Sequence, residues 1–203
     1  MSARVPIVLA LVAALLLIYV LAFERGRPSA TEVESRSGLL VERLIRDRIT
    51  AIRIATGDAR ALLRREGEGF DETWTLEEPR RSPADPEQVE DYVRNWEFSI
   101  PVRTLESPSD EDRREFGMDS PRGEVTFEMD RAEVRITLGS GTPVDGGGYV
   151  RIDDHPAIVV VGQEVVELFD RGWEEFAVKD DAGAPLLEDL EAVQDKWENF
   201  LNE

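Results

Sequence analysis

An uninterrupted run of 19 apolar residues, from Val5 to Phe23, constrains the fold of this chain more than any other feature. A helix of that length spans about 28 Å, close to the roughly 30 Å hydrocarbon core of a bilayer. Pro6 falls in the first turn, where its missing N–H costs little. The run therefore predicts one transmembrane helix, with residues 1–23 as an N-terminal anchor.

A cleaved signal peptide is the alternative interpretation of the same run. Residues 20–22 loosely resemble a small-residue cleavage site. However, the run is longer than the roughly 7–15 apolar residues of a typical signal peptide, and Tyr19, Leu21 and Phe23 crowd the site with bulky side chains. The pattern therefore favours an uncleaved anchor.

The flanking charges do not set the direction of this anchor. Arg4 and the amino terminus precede the run, whereas Arg25 and Arg27 follow it, and this count does not favour export of the C-terminal part. The rule is weak here because long domains are translocated largely regardless of charge. Both orientations stay open on charge alone.

The remainder of the chain is strongly acidic. All 43 acidic residues and 23 of the 24 basic residues lie at Glu24 or later, which gives that part a net charge of −20. Nucleic acid and anionic lipid headgroups are bound through Lys and Arg, so this charge argues against a nucleic-acid partner. The chain has no cysteine, which excludes disulfides, thiolate metal ligands and cysteine nucleophiles.

Residues 24–48 are expected to form a linker followed by a juxtamembrane helix over Gly38–Arg48, because Leu40, Val41, Leu44 and Ile45 recur at helical spacing. Residues 49–180 predict an α+β domain with mostly antiparallel sheets and packed helices. Alternating patterns predict strand pairs at 49–55 with 59–65, 123–129 with 132–138, and 148–152 with 157–161. Asp85 is predicted to cap a helix that starts at Pro86, Ser107-Pro108 to begin a second helix, and residues 163–169 to form a third.

The order of hairpin, third strand and helix occurs twice, in residues 49–106 and again in residues 107–180. A duplicated pair of halves is therefore an alternative to a single undivided domain.

The chain ends in an acidic amphipathic segment, residues 181–203, which predicts a helix. Its apolar positions recur at spacings of four, three, four and three: Leu186, Leu190, Val193, Trp197 and Phe200. One interpretation is that this helix packs against the sheet of its own domain. The other is that it docks on another protein, which makes these five side chains candidate partner-binding residues.

No pattern in the sequence predicts a catalytic, cofactor-binding or metal-ligating residue. The single histidine, His155, precedes Pro156 between two predicted strands, where a turn role is expected, and one histidine without cysteine cannot build a usual zinc site. The glycine-rich stretch 139–148 joins two strands and contains no lysine, so it predicts a hairpin loop and not a phosphate-binding loop. The acidic clusters do not follow the spacing of a calcium loop.

Four motifs in order resemble one family. They are Trp74-Thr75-Leu76 with Pro79, then Phe116 to Pro121, then Leu138-Gly139 with Tyr149-Val150-Arg151, and finally Val178-Lys179-Asp180. Together they resemble the bacterial family called domain of unknown function 4340, over roughly Ile49 to Asp180. The resemblance carries no catalytic residues. It implies a single-pass anchor in the inner membrane, a domain in the periplasm, and frequent association with ABC-type transporters, including those linked to gliding motility.

The leading expectation is therefore a non-enzymatic, membrane-anchored envelope protein that serves as an accessory or scaffold subunit of an ABC-type transport complex. It should co-purify with permease subunits. An alternative is a module that binds an envelope polymer or a small ligand through a concave site lined with Trp or Tyr. A third is a hydrolase with two carboxylates facing each other across a cleft.

Overall fold

The computed structural model describes residues 36–67, 72–130, 132–143 and 146–179, together with the isolated positions Val12 and Gly183. Apart from those two positions, the predicted anchor and the predicted C-terminal helix lie outside the described residues. Among the helices of the described part, none is long and apolar enough to cross a membrane.

The described residues contain nine strands that form one sheet, in the order β4-β3-β2-β1-β6-β7-β8-β9-β5. All neighbouring strands are antiparallel. The strands are β1 Ile49–Thr56, β2 Ala59–Glu66, β3 Thr73–Glu78, β4 Ser82–Pro83, β5 Arg103–Leu105, β6 Gly123–Met129, β7 Ala132–Gly141, β8 Gly148–Ile152 and β9 Ile158–Val161. The prediction of a mostly antiparallel α+β fold is confirmed.

The predicted strand pairs are present, and their turns use residues that tolerate a left-handed backbone. Gly57 has a φ of 57° in the β1–β2 turn, and Asp130 has a φ of 40° in the β6–β7 turn. β1 also pairs with β6, so the strands of residues 49–106 and of residues 107–180 belong to one continuous sheet. An origin by duplication stays a prediction.

Four helices are described: α1 Pro86–Glu97, α2 Asp110–Glu115, α3 Gln163–Phe169 and α4 Trp173–Phe176. Asp85 caps α1 as predicted, because its side chain accepts the backbone N–H of Glu87 at 2.9 Å. α2 begins later than predicted, since Ser109 and Asp112 form a reciprocal capping box there.

The core lies between one face of the sheet and the helices α1, α3 and α4. Five aromatic rings meet there in mostly edge-to-face contacts, with centroids 5.1–6.4 Å apart: Tyr92, Trp96, Phe127, Phe169 and Phe176. α1 crosses this face and carries the chain from the β4 edge of the sheet to the opposite edge, where β5 pairs with β9.

The prediction of a helix over residues 38–48 is wrong. Residues 36–43 form turns, and the only regular helix here is a 3₁₀ turn at Arg46–Arg48. The backbone of this segment is hydrogen-bonded to a distant part of the chain, since the N–H of Leu40 donates to the carbonyl of Ser99 at 2.7 Å. The apolar residues of the segment are nevertheless buried. Their spacing therefore predicted burial correctly, but it did not predict the backbone conformation.

Candidate functional site

The most unusual surface of the described part is the segment that joins the end of α1 to β5. Three alternate residues on it expose large apolar side chains: Phe98 at 64%, Ile100 at 61% and Val102 at 68%. Phe98 is the C-cap residue of α1, and Ile100 and Val102 follow it at alternate positions; these three residues are here called the apolar stripe. The N–H of Val102 donates to the carbonyl of Val160 at 2.9 Å, which fixes the end of the stripe to β9.

Two clefts flank the apolar stripe. The α1–α3 cleft has a volume of about 620 Å³, and Phe98 and Ile100 line it together with Arg94, Glu167 and Arg171. The second, here called the entry cleft, has a volume of about 550 Å³ and separates residues 38–43 from β5 and β9. Leu39, Glu42, His155 and Val159 are among its lining residues.

The entry segment, residues 36–45, joins the domain beside this stripe. Leu40, Val41 and Leu44 are buried, at 5%, 2% and 0% exposure. Arg36 donates to the carboxylate of Glu97 at 2.7 Å, at the end of α1. The entry segment is therefore an integral part of the folded domain.

The opposite face of the sheet carries charged residues that pair with one another, either across neighbouring strands or within one strand. Arg64 lies 3.0 Å from Glu77, and Arg53 pairs with Glu128. Arg135 donates to Glu133 at 2.7 Å, and this hydrogen bond raises the pKa of the Arg135 guanidinium. These charges neutralise one another along the sheet and do not converge on a cleft.

The predicted turn role of His155 agrees with its contacts. Its Nδ1 accepts the backbone N–H of Ala157 at 3.2 Å, inside the turn between β8 and β9. Asp153 in the same turn accepts the N–H of Arg135 at 2.8 Å and pairs with Arg43. In the parts of the chain that are described, no group of three or more His, Asp or Glu side chains could hold a metal ion.

The acidic cluster at the start of α2 also has a structural role. Asp112 accepts both the N–H and the hydroxyl of Ser109 at 2.7 Å, and the hydroxyl contact is the main cause that lowers the pKa of the Asp112 carboxyl. The carboxylate is therefore held by the helix cap.

The motif glycine at position 139 lies in β7, where the backbone of the turn after α2 packs directly on the strand. Ser140 donates its N–H to the carbonyl of Phe116 at 2.8 Å, and the Phe116 ring stacks on Tyr149 with centroids 4.1 Å apart. A Cβ at Gly139 would lie 2.0 Å from the Phe116 carbonyl oxygen. These two motif regions therefore build one structural contact.

The apolar stripe was not predicted as a site from the sequence. Its signal was present as alternation of Phe98, Ile100 and Val102, but alternation by itself does not distinguish a buried face from an exposed one. The five candidate partner-binding residues lie outside the described residues, and their role stays a prediction: Leu186, Leu190, Val193, Trp197 and Phe200.

A single antiparallel sheet with its helices packed mainly on one face defines an α+β domain. The family follows from a match over residues 74–199: the chain belongs to the family described as domain of unknown function (DUF4340). The resemblance of the motifs is thereby confirmed, although the match begins at Trp74 and extends beyond Asp180. No curated protein and no solved structure matches the chain.

Proposed function

We propose that this protein is a non-enzymatic accessory or scaffold subunit of an ABC-type transport complex. Residues 1–23 anchor it in the inner membrane by a single pass, and the α+β domain works in the periplasm. Its partners are the permease subunits beside the anchor. No cofactor is required.

The observation that carries this proposal is the burial of the entry segment. Only residues 24–35 separate the apolar run from Arg36, which already contacts Glu97 of the domain. Fully extended, the 13 peptide steps from Phe23 to Arg36 reach at most about 45 Å. A domain held by so short a tether works close to the bilayer, where permease subunits are within reach.

The electrostatics of the domain support a scaffold more than an enzyme. Strongly perturbed titratable groups tend to mark active-site clefts. Here burial raises the pKa of Tyr92 inside the aromatic core, and the lowered pKa of Asp112 belongs to a helix cap. Neither residue lines the clefts beside the stripe.

The ligand-binding alternative has weaker support. Trp173 lines a cavity of about 190 Å³, next to Thr56 and Arg60. Small-molecule sites usually occupy about 300–1,000 Å³, so this cavity is small for an aromatic-lined binding site.

A pair of reporter fusions after Glu203 tests the orientation. A periplasmic reporter such as alkaline phosphatase should be active and a cytoplasmic fluorescent reporter dark. Changing Leu15 and Leu16 to Arg should move the protein out of the membrane fraction, because charged residues at the centre of an anchor disfavour insertion. The matched control adds the same two arginines in the linker, at Ser29 and Ala30, and should stay in the membrane. The reverse reporter pattern would contradict the proposed location.

Affinity purification of the full-length chain from membranes tests the partner. ABC-type permease subunits should co-purify. Changing Leu190 and Trp197 to Glu distinguishes the two interpretations of the C-terminal segment. Loss of the complex at an unchanged melting temperature would indicate a partner surface, whereas a large drop in melting temperature would indicate packing on the chain's own domain.

A further inference from the structure

The side chains of the apolar stripe are exposed to water in the described domain, which is energetically unfavourable. Phe98, Ile100 and Val102 are each more than 60% exposed. The two residues between them, Ser99 and Pro101, are less exposed. Phe98 and Ile100 line the same α1–α3 cleft. Exposed apolar groups arranged together indicate a contact surface.

The stripe lies where the chain enters the domain. The N–H of Leu40 donates to the carbonyl of Ser99, in the middle of the stripe, at 2.7 Å. Leu39 and Pro101 also line the same entry cleft. The side of the domain that receives the tether is therefore the side that exposes the apolar stripe.

We propose that the apolar stripe inserts into the interfacial zone of the bilayer that holds the chain's own anchor. This inference rests on the proposed anchoring of residues 1–23. The tether of at most about 45 Å allows the contact, and interfacial apolar groups penetrate about 5–10 Å below the headgroups. The stripe itself carries no charge. The exposed residue Arg103 follows it in the sequence and can extend toward phosphate groups, whereas Arg94 pairs with Asp91.

The rest of the domain limits how the bilayer can be approached. The part of the chain after the anchor carries a net charge of −20, so as a whole it is repelled by anionic headgroups. The contact is therefore an apolar insertion at one edge of the domain and not broad electrostatic adsorption. It would hold α1 and the β5 edge of the sheet against the membrane surface.

The absence of cysteine makes a site-specific test possible. Full-length Ile100→Cys is labelled with an environment-sensitive fluorophore and reconstituted in phosphatidylcholine vesicles with or without brominated acyl chains. The fluorescence emission of the label should shift to shorter wavelength and should be quenched by the bromines. The matched control is Asp58→Cys, an exposed position in the turn between β1 and β2, and its label should show neither effect.

Vesicle flotation separates the two proposals. If the chain floats with the vesicles but the label at position 100 is neither shifted nor quenched, the insertion is wrong and the anchoring stands. A blue shift without quenching would mean that protein covers the stripe, whether a partner, a second copy or the C-terminal segment, and would also overturn the insertion. If the chain does not float, the anchoring fails and the insertion fails with it.

Substitution of the other two stripe residues provides a second test. Adding Phe98→Ser and Val102→Ser to the labelled protein should abolish bromine quenching, while the melting temperature stays unchanged because both side chains are exposed. Undiminished quenching would contradict the role of the stripe.

Discussion

The guanidinium of Arg36 donates a hydrogen bond of 2.7 Å to the carboxylate of Glu97, across 61 positions of sequence. Glu97 is the last residue of α1 and is only 7% exposed, and Arg46 approaches the same carboxylate at 4.0 Å. This pair joins the beginning of the domain to the helix that leads into the apolar stripe.

Removing either partner of this pair should destabilise the protein. Arg36→Ala or Glu97→Ala is expected to lower the free energy of unfolding by about 2 kcal/mol. Arg36→Ala leaves the largely buried Glu97 with only the more distant Arg46, and Glu97→Ala removes the carboxylate that pairs with Arg36. The double variant should cost less than the sum of the two single variants. Urea denaturation of all four proteins measures this coupling.

The control for that cycle is the exposed pair between Asp91 and Arg94 on the surface of α1. Asp91→Ala should change stability by no more than about 0.5 kcal/mol, since exposed pairs one turn apart contribute little. Additive costs at Arg36 and Glu97 would show that the two side chains do not act together.

The hydroxyl of Tyr92 is buried and has no hydrogen-bond partner within the described part of the chain, nor has the indole N–H of Trp96. Tyr92→Phe removes an unsatisfied polar group and keeps the ring, so it should be neutral or stabilising by up to about 1 kcal/mol. Trp96→Ala, which empties the same cluster, should cost about 3–5 kcal/mol. A large loss in Tyr92→Phe would reveal a hydrogen bond that the structure does not contain.

The burial of Tyr92 also predicts that the folded protein is less stable at alkaline pH. Desolvation by burial raises the pKa of its phenol. In the unfolded chain the phenol ionises near pH 10. The contribution of the neutral, buried phenol to stability is therefore fully present below about pH 10 and decreases above it. The decrease in the free energy of unfolding between about pH 9 and pH 11, measured by urea denaturation, should be smaller in Tyr92→Phe than in the unchanged protein. Equal losses in both proteins would assign the alkaline instability to other groups.

Gly139 should not accept a side chain. A Cβ there would lie 2.0 Å from the carbonyl oxygen of Phe116 and 2.8 Å from Cε of Met118, so Gly139→Ala is expected to cost about 1–3 kcal/mol or more. At Gly141, two residues along the same strand, the nearest atom would be 3.6 Å away. Gly141→Ala is the control and should be neutral or slightly stabilising. Similar melting temperatures for the two variants would contradict the close packing.

The capping box of α2 predicts an effect at low pH. The hydrogen bonds from Ser109 lower the pKa of Asp112, so their contribution to stability is present above the unfolded pKa of about 3.9 and is lost as pH falls through the lower folded value. Ser109→Ala should return the pKa of Asp112 toward its ordinary value, as measured by carboxyl NMR titration. Glu111→Gln, in the same turn, should leave it unchanged. A pKa of Asp112 that is indifferent to Ser109→Ala would rule out this cause.

Local sequence patterns were sufficient to predict most of the secondary structure. The alternation around Asp130 and the cap at Asp85 each act within a few residues, so strands and helix starts could be predicted there. The entry segment could not, because the N–H of Leu40 bonds to Ser99, far along the chain. The same periodic apolar residues can be buried on a helix or on a series of turns, and only the neighbouring segment decides between them.

By itself, the sequence determined the apolar run of residues 5–23, the acidic charge of the remainder, the family motifs and the antiparallel α+β class. These depend on composition and on spacing along the chain. Only the tertiary structure decided that β1 lies beside β6, that β5 crosses to pair with β9, and that Phe98, Ile100 and Val102 are exposed beside the entry segment. Such facts depend on which segments meet in space, and long-range pairing is not encoded in the periodicity of any one segment.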